Sequence, residues 1–327
     1  MKVLRKIVVP TGNILIVEGE KGKLECLSIG DYGKENNIKA DFLGLREEIH
    51  GVDHSKLLPL EEKWVITVSS QYGCSMGCTF CDVPMVGPGR NASVLDLVEQ
   101  VMSCVSLHPE VIQTNRLNLH YARMGEPTWN FNVIPATRSL KPWFDDHDFG
   151  FHPVVSTMMP EDNLKLWHFI SEWIQLKNEL MKGEAGLQLS IQSTDEYERI
   201  RMFLGRANDL STISNEMRKI INHRGLVGRK IALNFAIADN SVISGKVLRS
   251  LFDPRYFMCK ITPMHASKEA VRNDFVTTGG YDSFYPYQEI EDDLKHHGFD
   301  VLVFVPSKEE DESRITCGNA ILSDGEV

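Results

Sequence analysis

An α/β fold built around a mostly parallel sheet is what this chain of 327 residues predicts. Three observations carry that reading. From Glu62 onward, short apolar β-branched runs alternate six or so times with longer stretches of helical period, the signature of repeated strand–helix–strand units. The composition, 42% apolar and 24% charged, is that of an ordinary globular domain, and the length suffices to bury a core without staples. No window approaches ~18 consecutive apolar residues, which excludes a membrane-spanning helix. The opening MKVLRKIVVPTGN has no long apolar run followed by a small-residue cleavage site, so no secretory signal is expected. Seven Cys is an odd count in a chain this long, which argues for a reduced, cytoplasmic compartment over a disulfide scaffold.

The elements follow in order. Residues 1–61 read as a small β-rich extension: KIVVP, NILIVEG and KLECLSIG are apolar runs broken by Pro-Thr-Gly, Glu-Lys-Gly-Lys and Gly-Asp-Tyr-Gly. Residues 62–306 hold the alternating region. Its strand candidates are Trp64–Ser69, Arg116–Ala122, Phe151–Ser156, Gly186–Ile191, Lys230–Ile237, Tyr256–Thr262 and Asp300–Val305. Its helix candidates are Val94–Val105, Asn163–Lys182, Leu210–His223, Val242–Phe252 and Tyr287–His297. A full or partial (β/α) barrel and a doubly wound sheet both satisfy this pattern. No Gly-rich dinucleotide or Walker fingerprint follows any strand. Residues 307–327 form an acidic tail.

The charge is unevenly placed. Residues 289–327 hold eleven acidic residues against three basic ones, which accounts for −8 of the net −10. Residues 199–230 run the other way: eight Lys or Arg face only Asp209 and Glu216, a net of +6. Such a run is commonly a solvated helical face; the sharper reading is a surface for phosphates or nucleic acid.

Three Cys stand together in Gly73-Cys74-Ser75-Met76-Gly77-Cys78-Thr79-Phe80-Cys81, directly after the first strand of the alternating region. Three thiolates on one tight loop can each hold one iron of a [4Fe–4S] cluster, leaving the fourth iron open to a small molecule. A structural zinc site would need a fourth Cys or His at matching spacing. His54 lies well before the loop and no His falls within it. A chance cluster of reduced thiols is the bland alternative.

The Cys-x3-Cys-x2-Cys spacing, with Phe80 before the third Cys, resembles the cluster loop of radical S-adenosylmethionine (radical SAM) enzymes. More narrowly, Val68-Ser69-Ser70-Gln71-Tyr72-Gly73-Cys74 and Met124-Gly125-Glu126-Pro127-Thr128-Trp129-Asn130 resemble segments of the RlmN/Cfr family of radical SAM RNA methyltransferases. Ser313-Arg314-Ile315-Thr316-Cys317-Gly318 is similar to that family's C-terminal motif. The likeness spans about residues 62–320. It implies a partial (β/α)6 barrel of TIM type, a [4Fe–4S] cluster on Cys74, Cys78 and Cys81, and S-adenosyl-L-methionine held at the strand ends. Gly125 and Glu126 would meet the cofactor's amino group, and Ser156, Ser190 and His265 its ribose. It also implies an electron donor such as flavodoxin or ferredoxin.

The resemblance implies a mechanism as well. Cys317 takes a methyl group from one cofactor molecule. The radical generated from a second then abstracts hydrogen from that S-methyl group, and the carbon adds to an adenine of RNA, with residues 199–230 as the RNA-facing stretch. The sequence departs from the family at several points. Arg123 replaces the first Gly of the motif after the second strand, and Gln192 and His265 stand where His and Asn are more usual. Thr67 occupies the place of a second Cys that helps resolve the protein–RNA crosslink, and a hydroxyl cannot form the disulfide. Residues 1–61 are too few and too strand-like for the family's helical accessory domain. These departures motivate an alternative: the same scaffold acting on a nucleotide, small metabolite or peptide. A non-catalytic iron–sulfur protein is the third reading. Cys26, Cys104 and Cys259 are left over, the last two expected in the core.

Overall fold

The structure, a computed structural model, describes residues 1–31, 38–39, 48–49, 52–53, 57–277, 287–306, 308–316 and 320–323. All seven expected strands form: β4 (Trp64–Val68), β5 (Thr114–Tyr121), β6 (Phe149–Thr157), β7 (Gly186–Ser190), β8 (Ile231–Ile237), β9 (Phe257–Pro263) and β10 (Val301–Val305). Their order in the sheet is their order in the chain, and every neighbouring pair is parallel. A doubly wound sheet reverses its order partway. This one does not, and its strand order is one that a (β/α) barrel would also have, with seven parallel strands where the resemblance implied six.

The N-terminal runs form an antiparallel meander, β1 (Lys2–Val9), β2 (Gly12–Gly19) and β3 (Gly22–Gly30). The meander joins the parallel sheet at its edge: β3 pairs antiparallel with β4, Leu27 opposite Thr67. At the far edge the two residues Ile38–Lys39 pair with β10.

One face of the sheet is apolar. Trp64, Ile66 and Val68 of β4 and Leu117, Leu119 and Tyr121 of β5 join Leu97, Phe169, Ile213 and Leu248 from the surrounding helices in a single core. Burial of this kind stabilises by roughly 25 cal/mol per Å2 of apolar surface. The alternation of a strand sends the intervening residues to the other face. There Thr67 neighbours His120, Ser156 neighbours Gln188, and Asn234 neighbours Lys260 across adjacent strands. A sheet with helices on one face and polar side chains on the other presents a lined site.

Among the helices, α1 (Val94–Val105) begins at a reciprocal capping box between Ser93 and Asp96. The expected helices form as α3 (Leu166–Glu179), α5 (Leu210–Arg224), α6 (Gly245–Leu251) and α7 (Tyr287–His296). Two longer helices escaped the sequence reading, α2 (Val133–Asp146) and α4 (Glu196–Phe203). Pro142 inside α2 reads as a breaker, yet Val133, Leu140 and Phe144 bury the helix firmly enough to override it. Helix α4 spans only eight residues and lies within the basic run.

Candidate active site

The site begins where β4 ends. The N–H groups of Ser70 and Gln71 donate to the Met124 carbonyl at 2.8 and 3.2 Å, and Asn130 Nδ2 donates to the Ser70 and Ala92 carbonyls at 2.7 and 2.9 Å. Gln71 Oε1 accepts from the Glu126 N–H at 2.9 Å. The lead-in to the Cys loop and the turn after β5 are therefore one braced unit, which explains the Ser-Ser-Gln and Gly-Glu-Pro-x-x-Asn patterns physically. Gly125 has φ +95°, and a Cβ there would stand 2.5 Å from Gln71 Cβ. Only glycine fits.

Cys74, Cys78 and Cys81 lie on one loop, with Cys74 and Cys81 close enough to act electrostatically on Cys78. Burial pushes the Cys74 thiol up to about 11. Burial raises Cys78 further, and Cys81, Cys74 and Glu126 add to the effect. Their surroundings are apolar: Met76, Phe80, Met202, Phe203, Met264 and Phe275 form one cluster with the thiols. Phe80 meets Phe203 and Phe275 edge-on, centroids 5.8 and 6.4 Å apart. The loop is held from outside. Arg206 Nη1 donates to the Ser75 and Met76 carbonyls. Ser267 Oγ donates to the Phe80 carbonyl at 2.8 Å, and Asn273 Nδ2 to that of Thr79, also at 2.8 Å.

The donor set fits a polynuclear cluster. A structural zinc site would need a fourth Cys or His beside the three thiols; among the described residues no group of three or more His, Cys, Asp or Glu is arranged to hold a metal ion. Three thiols on one loop suit such a group, in which each sulfur would take its own iron. Metal would also relieve the burden that burial places on these thiols by binding them as thiolates.

Glu126 is 2% exposed. Burial raises its pKa, against which hydrogen bonds from Thr128, Met158 and Thr157 act. Oε1 accepts from Thr128 N–H at 3.0 Å, Thr128 Oγ1 at 2.7 Å and Thr157 Oγ1 at 2.7 Å; Oε2 accepts from the Met158 N–H at 2.8 Å. Glu126 thus ties the ends of β5 and β6 together. Oε2, with this single donor among the described residues, has capacity for another.

Ser156 lies on the polar face of β6 and Ser190 at the end of β7. Among the described residues neither hydroxyl is taken up by a protein partner. Gln192 is spent within the fold, its Oε1 accepting from the Ala236 N–H at 2.6 Å. His265 Nδ1 lies 2.7 Å from Asp311 Oδ1. Thr67 sits on the polar face beside His120, whose pKa is lowered to about 3, chiefly by burial. Cys317 lies outside the described residues. Cys26, Cys104 and Cys259 are wholly buried.

The basic run divides on inspection. Arg199 is 2% exposed and donates to the Ile191 and Asn208 carbonyls. Arg206 braces the Cys loop and pairs with Asp162 at 2.7 Å, and Lys230 pairs with Asp300 at 2.6 Å. Arg201, Arg218 and Lys219 are exposed. The run is therefore partly internal scaffolding, and the bracing of the Cys loop by Arg206 was invisible in sequence because the partners lie 131 positions apart.

No protein-family model matches the chain. Among curated proteins it is 36% identical over 231 residues to the dual-specificity RNA methyltransferase RlmN of Campylobacter fetus subsp. fetus, covering 66% of this chain and 61% of that protein. It is 23% identical over 225 residues to the RlmN of a Sulfurovum species, covering 67% and 57%. To the RlmN of Campylobacter lari it is 36% identical over 104 residues, 32% of this chain and 28% of that protein. The chain thus spans less than two thirds of the length of these relatives. In fold it is similar to a radical SAM methyltransferase from Sphaerobacter thermophilus, with a TM-score of 0.65 at 18% identity over 94% of this chain and 78% of that one. Among the described residues no helix is long and apolar enough to cross a membrane. In its Cys loop, in its strand-end turn and in these matches, the chain is similar to the RlmN-type RNA methyltransferases.

Proposed function

We propose that the chain is a radical SAM methyltransferase that acts on an adenine-containing RNA through a methyl group carried on Cys317. The observation that supports this most is the brace between the lead-in to the Cys74, Cys78 and Cys81 loop and the Glu126 turn, where Gln71 Oε1 accepts from the Glu126 N–H at 2.9 Å. On this reading the three thiolates hold a [4Fe–4S] cluster, and S-adenosyl-L-methionine lies along Gly125, Glu126, Ser156, Ser190 and His265. When bound, these groups supply one-electron reductive chemistry and a transferable methyl group. The chain's own residues do the rest. Glu126 Oε2 accepts from an amino group, the Ser156 and Ser190 hydroxyls meet ribose oxygens, and the apolar cage around Phe80 excludes water. Cys317 exchanges its thiol proton for the methyl. A one-electron donor such as flavodoxin or ferredoxin and a reducing cytoplasm belong to the same proposal. Of the basic run, Arg201, Arg218 and Lys219 are exposed where phosphates could meet them, Lys219 while paired with Glu216 at 2.6 Å.

The test is anaerobic reconstitution with methyl-labelled cofactor, followed by mass spectrometry of the protein and of added RNA. Label on the peptide containing Cys317 and on RNA adenine is the expected result. Full RNA methylation by Cys317→Ala would overturn the carrier role, and turnover without RNA would move the substrate to a nucleotide or metabolite.

A further inference from the structure

One residue that departs from the family's motif, Arg123, has an organised environment. It follows β5, is 5% exposed, and faces Glu25 of β3, which is 0% exposed. Arg123 Nε donates to Glu25 Oε1 at 2.5 Å. Nη1 donates to the Ile315 carbonyl and Nη2 to the Arg314 carbonyl, both at 2.8 Å. The second carboxylate oxygen, Glu25 Oε2, accepts from the Ile321 N–H at 2.9 Å. A buried ion pair is weak evidence for stability, since desolvation offsets most of its attraction. What distinguishes this one is where its remaining valences go. The guanidinium takes the carbonyls before residues 317–319 and the carboxylate takes the N–H after them.

Two further observations concern the same segment. Ile315 and Ala320, 6% and 2% exposed, pack with Val9, Ile14 and Leu27 of the meander. Thr316 Oγ1 donates to Asp311 Oδ1 at 3.0 Å, the oxygen that also meets His265. The pair, the apolar contact and the Asp311 bond all fall on the described flanks of Cys317.

We propose that Arg123, paired with Glu25, is a positioning residue that holds residues 314–315 and 321, the described flanks of Cys317, beside the end of β5. Its consequence for turnover rests on the methyl-carrier reading above; its geometry does not. A guanidinium is required because its planar fork serves a carboxylate and two carbonyls at once, which an ammonium cannot do in one orientation.

The experiment compares the full-length reconstituted protein with Arg123→Lys, Arg123→Gly and Glu25→Gln. Three quantities are read: hydrogen exchange of the peptide spanning 313–323, the rate of Cys317 alkylation, and the visible absorption of the cluster. Each variant is expected to raise exchange and alkylation by about tenfold or more, through local rather than global opening, while the cluster spectrum is unchanged. Methylation of Cys317 should fall in parallel. Exchange and alkylation equal to the parent in all three variants would overturn the positioning role. A parent with no methyl on Cys317, but with faster exchange in the variants, would support the positioning and remove the carrier reading. A methylated parent matched by equally methylated variants would do the reverse. Where Arg123→Gly fails to fold, Arg123→Lys and Glu25→Gln decide, because each keeps most of the buried volume.

Discussion

At the scale of single residues, the polar face of the sheet holds a charge that the fold does not pair. Lys260 on β9 is half-buried, its Nζ 5.2 Å from the centroid of the Phe304 ring, and among the described residues it has no ion-pair partner. Burial lowers its pKa from 10.5 to about 8, with Arg229 adding repulsion. A lysine whose folded pKa is depressed destabilises the folded state when charged. Below about 8 it is protonated in both states and the full cost applies; as pH rises towards 10.5 the folded state carries it neutral and the cost fades. Lys260→Met should therefore stabilise the protein at pH 7 by about 1–3 kcal/mol, and the gain should shrink steadily above pH 8. Urea unfolding midpoints across that range check it; a gain independent of pH would show that the methionine acts by packing alone. A charge kept at such a cost on the polar face of the sheet is more consistent with binding than with stability.

At the scale of elements, the turn after β5 shows how backbone geometry sets the site. Gly125 is required both by its φ of +95° and by the 2.5 Å approach to Gln71 Cβ. Gly125→Ala would force Gln71 away, breaking its bond to the Glu126 N–H and with it the brace between turn and Cys loop. A loss of about 2–3 kcal/mol is expected, together with loss of cofactor cleavage, read by thermal unfolding and by 5′-deoxyadenosine formation. Native stability with an altered cofactor affinity would show that the turn serves the ligand only. This brace was partly legible: Gln71, Gly125, Glu126 and Asn130 were all visible as motif residues, but that Gln71 and Asn130 bind backbone could not be read from spacing. The strands were legible because each buries alternate residues on one helix-covered face. Helix α2 was not, because Pro142 masks a stretch that tertiary burial holds helical. Glu126 was read as a ligand for the cofactor; its first task in the fold is to accept from Thr128, Thr157 and Met158. Contacts between distant segments, such as Glu25 with Arg123, leave no local signal; the only trace was Arg123 standing at a family glycine.

At the scale of the whole molecule, the meander links the first residues of the chain to the last. Its strands have two faces. Leu24 and Cys26 of β3 turn into the main core, whereas Leu27 on the opposite face joins Val9 and Ile14 against Ile315 and Ala320. The extension predicted from sequence as a small β-rich appendage is thereby continuous with the parallel sheet and forms the platform on which the C-terminal segment lies. Two kinds of contact hold that segment, the Arg123–Glu25 pair and this apolar patch, and they should fail differently. Leu27 is 1% exposed, so Leu27→Ala leaves a cavity costing about 2–4 kcal/mol. If the segment docks as its own cooperative unit, most of that loss should appear locally. Hydrogen exchange should then rise strongly across 313–323 and only slightly across β5 and β6, whose core contacts Leu27 does not share. A uniform rise over the whole sheet would mean that meander, parallel sheet and C-terminal segment open as one. In that case the position of Cys317 would be set by global stability and the segment would have no independent motion.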